Sequence, residues 1–71
     1  MIFSHKTRII DGRTVHIFNG FGPNDSDAIR DVDEFVRHHD IYIERDWSMA
    51  GMAMTVFVED VRVATLFKMT F

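Results

Sequence analysis

Apolar and polar residues alternate most clearly along 13–18, where Val15 and Ile17 fall on one side of an extended chain. Just before this stretch stands Asp11-Gly12, flanked by Arg8-Ile9-Ile10 and Arg13-Thr14-Val15. Asp-Gly suits the two-residue type I′ turn of a hairpin, because glycine takes positive φ without steric cost. The turn predicts strands over 3–10 and 13–18, with Ile10 opposite Arg13 and Thr7 opposite His16. Residues 3–10 alternate poorly, as an edge strand does.

Asn19 to Ser26 carries two glycines, the single proline and then Asn24-Asp25-Ser26-Asp27. This cluster predicts the end of the hairpin and the start of a helix, with Asn24, Asp25 and Ser26 all suitable N-caps. Ala28, Ile29, Val32, Phe35, Val36 and His39 then recur at three- and four-residue spacing, which predicts a helix over 26–39. Val32, Phe35 and Val36 are its expected buried stripe. Asp33 and Arg37 stand four apart, acid first, a weakly stabilising pair.

The remainder reads as β structure. Ile41, Ile43 and Trp47 share one side of a strand over 41–47, Ser48 to Gly51 forms a turn, and Met52, Met54, Val56 and Val58 alternate with Ala53, Thr55 and Phe57. Glu59-Asp60 is a second tight turn, though it lacks glycine. Val61, Val63, Thr65, Phe67, Met69 and Phe71 then alternate with Arg62, Ala64, Leu66, Lys68 and Thr70, which predicts a last strand. The expected fold is α+β, in the order ββαβββ. One amphipathic helix packs on a mostly antiparallel sheet of four or five strands, and residues 1–71 form a single domain.

Seventy-one residues without a cysteine narrow the picture. A chain this short buries only about 60% of its unfolded surface. Disulfides and cysteine-based zinc sites are excluded, so oligomerisation is the expected compensation and the cytoplasm the expected location. Seven phenylalanines argue against disorder. No apolar run approaches the roughly 20 residues of a membrane span, and the first residues lack the apolar stretch of a signal peptide. A net charge of −3, with both signs mixed along the chain, argues against a general nucleic-acid binder.

Candidate chemistry is sparse. The hairpin register places His5 and His16 on one face as diagonal neighbours, within reach of a shared metal but with no third ligand in view. His38 and His39 diverge by about 100° around the helix, which keeps them off a common ion. Ser4, Ser26 and Ser48 have no nucleophile-elbow context. Gly20-Phe21-Gly22 precedes a helix start but lacks the Gly-Lys-Ser/Thr ending of a phosphate loop, and Asp25 and Asp27 would repel an anion. No catalytic residue, metal or cofactor is expected. Met49, Met52 and Met54 fit an irregular core, or an adaptable binding patch if exposed.

The strongest feature is surplus apolar sheet. If Met52, Met54, Val56, Val58, Val61, Val63 and Phe67 face the helix, the other side offers Tyr42, Ala53, Phe57, Ala64 and Leu66, interrupted by Arg62 and Lys68. One helix cannot cover both faces, and an exposed apolar patch usually marks an interface. The expectation is a small non-catalytic interaction protein, accessory, regulatory or inhibitory, of the kind a phage or mobile element encodes. It would bind an unidentified protein partner and form a homodimer. The alternative is a small-ligand or metal module using His5, His16, His38 or His39 between subunits.

Overall fold

The computed structural model describes residues 2–24 and 27–71. Its elements run β1 (Ile2–Ile10), β2 (Arg13–Gly22), α1 (Asp27–His38), β3 (Tyr42–Ser48), β4 (Gly51–Val58) and α2 (Val61–Thr70). The four strands make one antiparallel sheet in the order β1-β2-β4-β3. The α+β class and the antiparallel sheet are as expected, but the order is ββαββα.

The first hairpin follows its turn chemistry. Asp11 and Gly12 have φ of 51° and 78°, the positive values a type I′ turn requires. Ile10 faces Arg13 and Thr7 faces His16, as the sequence predicted, and β1 is an edge. Strand β2 runs further than the breaker-rich segment implied. Asn19 to Gly22 continue the ladder because β4 pairs with them, from Asn19 opposite Thr55 to Gly22 opposite Met52. Of the three candidate N-caps, Asp25 and Ser26 lie outside the described residues. The Asn24 side-chain amide donates instead to the Ser48 carbonyl at 2.9 Å, tying the loop to the β3–β4 turn.

Helix α1 buries Ile29, Val32 and Val36, while Phe35 is half-buried at its flank. Its end is a Schellman motif. Asp40 takes a left-handed φ of 52°, Ile41 N–H donates to the Val36 carbonyl at 3.0 Å, and Asp40 N–H to that of Arg37 at 3.4 Å. Asp33 pairs with Arg45 of β3, not with Arg37, which pins the helix over that edge.

Residues 61–70 form a helix where alternation predicted a strand. Asp60 is its N-cap. The carboxylate accepts from Arg62 N–H at 2.8 Å, and the Asp60 carbonyl accepts the first helical bond from Ala64. The bond from Arg62 N–H first, then the Arg62 charge and a bond from Val63 N–H, hold the Asp60 carboxyl below its ordinary pKa. The buried positions are Ala64 and Phe67, with Val63 and Phe71 half-buried, a helical spacing the alternating pattern concealed. Thr65 and Thr70 hydroxyls bond back to the Val61 and Leu66 carbonyls at 2.8 and 2.7 Å, so these threonines satisfy themselves within a helix.

Both helices lie on the same face of the sheet. Ile29, Val32 and Val36 from α1 and Ala64 and Phe67 from α2 form one core with Phe18, Met54, Val56 and Val58. Phe67 sits at its centre, fully buried, with ring centroids 4.5 Å from Phe18, 4.8 Å from Phe71, 5.0 Å from Phe3 and 5.3 Å from Phe35. Phe3 reaches this cluster by lying across Gly20, its cross-strand partner.

Candidate functional site

Strand alternation divides the sheet residues into two sets. Phe3, His5, His16, Phe18, Met54, Val56 and Ile43 point toward the helices. Tyr42, Phe57, Ala53, Ile17, Val15 and Phe21 point away. Among the described residues no element covers this second face. Phe57 lies opposite Tyr42 on β3 and Ile17 on β2, with the Tyr42 and Phe57 rings 5.5 Å apart. Ile17 and Val15 are buried even so, by their neighbours within the sheet. Tyr42 and Phe21 are 64% and 55% exposed, and Ile10 is 43% exposed. The face therefore presents bulky aromatic and aliphatic edges around the buried Ile17 and Val15. Its middle is polar, where the Thr55 hydroxyl donates to Asn19 Oδ1 at 2.8 Å.

At one end this face runs into a cleft of about 450 Å³ beside the departing chain of β4. Val15, Phe57 and Val63 form its apolar wall, and His39, Asp40 and Glu59 its polar rim. Glu59 is engaged by Arg13 at 3.2 Å, and Asp60 by its capping role. Among the described residues that line it, no nucleophile stands beside a base.

The candidate residues named from sequence divide accordingly. Tyr42, Ala53 and Phe57 come together on the uncovered face. Arg62, Ala64, Leu66 and Lys68 do not join them, because their segment is a helix on the opposite side. Ala64 is in the core, Leu66 is 45% exposed on the outside of α2, and Arg62 lies 3.7 Å from Asp60. Lys68 sits by His5, around a small hollow shared with Phe3 and Phe71. Ile10, Val15, Ile17 and Phe21 were missed as members of the uncovered face. Their alternation was visible, but their neighbours on β4 were not, since strand order is not written in a local pattern.

The histidine pair is real. His5 and His16 approach to 3.1 Å between Nε2 and Nδ1, and their rings stack at 5.3 Å. His5 also lies nearly flat on Phe18, at 4.6 Å and 11°. Although His5 is exposed overall, this stacking dries one side of its ring. That withdrawal from water, then the charges of His16 and Lys68, lower its pKa from 6.5. Among the described residues no three His, Asp or Glu side chains gather to hold a metal. His38 and His39 stand edge to face at 4.9 Å, and His39 packs on Phe35 at 4.4 Å, a helix-end arrangement.

A lowered histidine pKa has a signed consequence. The unfolded chain takes up the proton more readily than the folded one, so stability is full above pH 6.5 and falls as pH drops below it. The melting temperature is expected to fall between pH 7.5 and 5.5, and His5→Phe, which keeps the stack on Phe18, to flatten that fall. An unchanged slope in His5→Phe would remove the histidine pair as its cause.

No protein-family model, curated protein or solved structure matches the chain. No helix among the described residues is long and apolar enough to cross a membrane.

Proposed function

We propose that this protein is a non-catalytic interaction module that binds another protein through the uncovered face of its sheet. The supporting observation is the one-sided architecture. Both helices pack on one face, while Tyr42, Phe57, Ile10 and Phe21 stand on the other around the buried Ile17. Tyrosine and phenylalanine at the mouth of a cleft are the residue types that anchor protein interfaces. Regulation or inhibition of a partner, as in an accessory protein of a bacterium or phage, is the role such a module would serve. Self-association, expected from the short cysteine-free chain, belongs to the same class of activity.

Affinity capture from the source organism, with wild-type and Phe57→Asp baits side by side, tests this reading. A protein retained stoichiometrically by the wild type should be lost with Phe57→Asp and kept with Arg30→Ala, which alters an exposed position on α1. Circular dichroism should show the baits equally folded. Equal retention by Phe57→Asp would rule out the face as the binding surface.

A further inference from the structure

The two edges of the sheet are matched to each other. β1 and β3 are both edge strands, and on the uncovered face β1 carries Lys6 and Arg8 while β3 carries Glu44 and Asp46. We propose that β1 of one copy pairs antiparallel with β3 of the next, in the register that sets Lys6 opposite Asp46 and Arg8 opposite Glu44. The chain thereby assembles head to tail into a continuous sheet.

Direction and spacing support the pairing. Because the order is β1-β2-β4-β3 and every neighbour is antiparallel, β1 and β3 run in opposite directions. Copies set side by side in the same orientation therefore bring β3 against β1 antiparallel, with their uncovered faces on the same side. The two-residue turns close at Ile10–Arg13 and Ser48–Gly51, so those pairs and every second pair after them exchange backbone bonds inside the sheet. The backbone groups of His5, Thr7 and Ile9, and of Ile43, Arg45 and Trp47, are left pointing out from the two edges. The proposed register sets these groups opposite one another: His5 with Trp47, Thr7 with Arg45, and Ile9 with Ile43. Ile10 meets Tyr42 and Ser4 meets Ser48, so the whole of β3 is paired. Ile9 and Trp47, 79% and 64% exposed in the single chain, each gain a cross-strand neighbour suited to them.

Two-fold alternatives are disfavoured by the same charges. Pairing β1 with its own copy brings Lys6 and Arg8 against each other, and pairing β3 with its own copy brings Glu44 against Asp46 or its equivalent. Charged edge strands normally prevent edge-to-edge contact. Here the two edges carry opposite signs, so each repels itself and attracts the other. The helix layer permits the contact as well. Helix α1 is tied to β3 through Asp33–Arg45, and α2 lies over β1 and β2 through Phe3 and Phe18. Two helices at about 10 Å each span about the width of four strands, so a continuing sheet carries a continuing helix layer. Strand twist rotates each copy by roughly 80–100° from the last, which makes an open ribbon, not a closed dimer.

This assembly uses the strand edges, and binding of a partner uses the face, so the two can fail separately. Sedimentation and light scattering between about 10 µM and about 1 mM should give an average mass rising past twice that of the chain, and lower at about 500 mM salt than at about 20 mM. Lys6→Glu/Arg8→Glu and Glu44→Lys/Asp46→Lys should each abolish the rise. Mixing those two variants should restore it, as should joining all four changes in one chain, while Phe57→Asp leaves it intact. A monomer at every concentration in low salt would overturn the pairing. So would a mass that stops at two chains, or a rise indifferent to the charge reversals.

Discussion

Phe67→Ala is expected to lower the melting temperature by about 15 °C or more, enough to leave much of the protein unfolded at 37 °C. Phe67 is fully buried and touches four other phenylalanine rings contributed by β1, β2, α1 and the C-cap of α2. Removing a ring from such a site typically costs about 3–5 kcal/mol, because the lining cannot collapse into the space. A domain of this size has only about 4–10 kcal/mol in total. Met69→Ala is the matching control. As a strand, 61–71 would put Met69 on the same face as Phe67, and the two substitutions would both be severe. As a helix it leaves Met69 80% exposed, so its removal should change stability by no more than about 0.5 kcal/mol. Thermal melts of the two variants separate the alternatives.

Gly20→Val should be nearly as damaging, at about 1–3 kcal/mol or beyond. A Cβ at Gly20 would stand 2.6 Å from the Phe3 ring, closer than carbon atoms approach. The ring would have to leave the strand surface, and with it the edge-to-face contacts at 5.0 Å to Phe67 and 6.2 Å to Phe71. Valine is otherwise a better strand residue than glycine, so propensity alone forecasts a gain. A melting temperature at or above that of the wild type would mean that Phe3 does not lie across Gly20.

The parts legible in the sequence were those decided locally. Asp11-Gly12 determined a turn and through it a register, and the register brought His5 beside His16. The Ile29, Val32 and Val36 stripe defined α1, and alternation from Met52 to Val58 defined β4. The last segment was ambiguous for a physical reason. Val61, Val63, Thr65 and Thr70 favour strands and alternate, yet Val63, Ala64, Phe67 and Phe71 also fall on one helical stripe. Two signals pointed to the helix: Asp60 is a good N-cap, and Glu59-Asp60 lacks the glycine a tight hairpin wants. What decides the matter is tertiary. Helix α1 lies over the β3 side, and the Phe3 and Phe18 side of the sheet needs its own cover. The phenylalanine cluster and the composition of the uncovered face follow from that choice and from strand order, neither of which a local pattern records.

The sheet has one dry face and one open face. Solvent paramagnetic relaxation on the dilute chain, read residue by residue with a soluble gadolinium probe, tests that most directly. Side-chain protons of Tyr42, Phe21 and Ile10 should relax strongly, and those of Phe67, Phe18 and Val56 hardly at all. Protection of Tyr42 and Phe21 to the level of Val56 would mean that the second face is covered, and would contradict both the interaction surface and the one-sided fold beneath it.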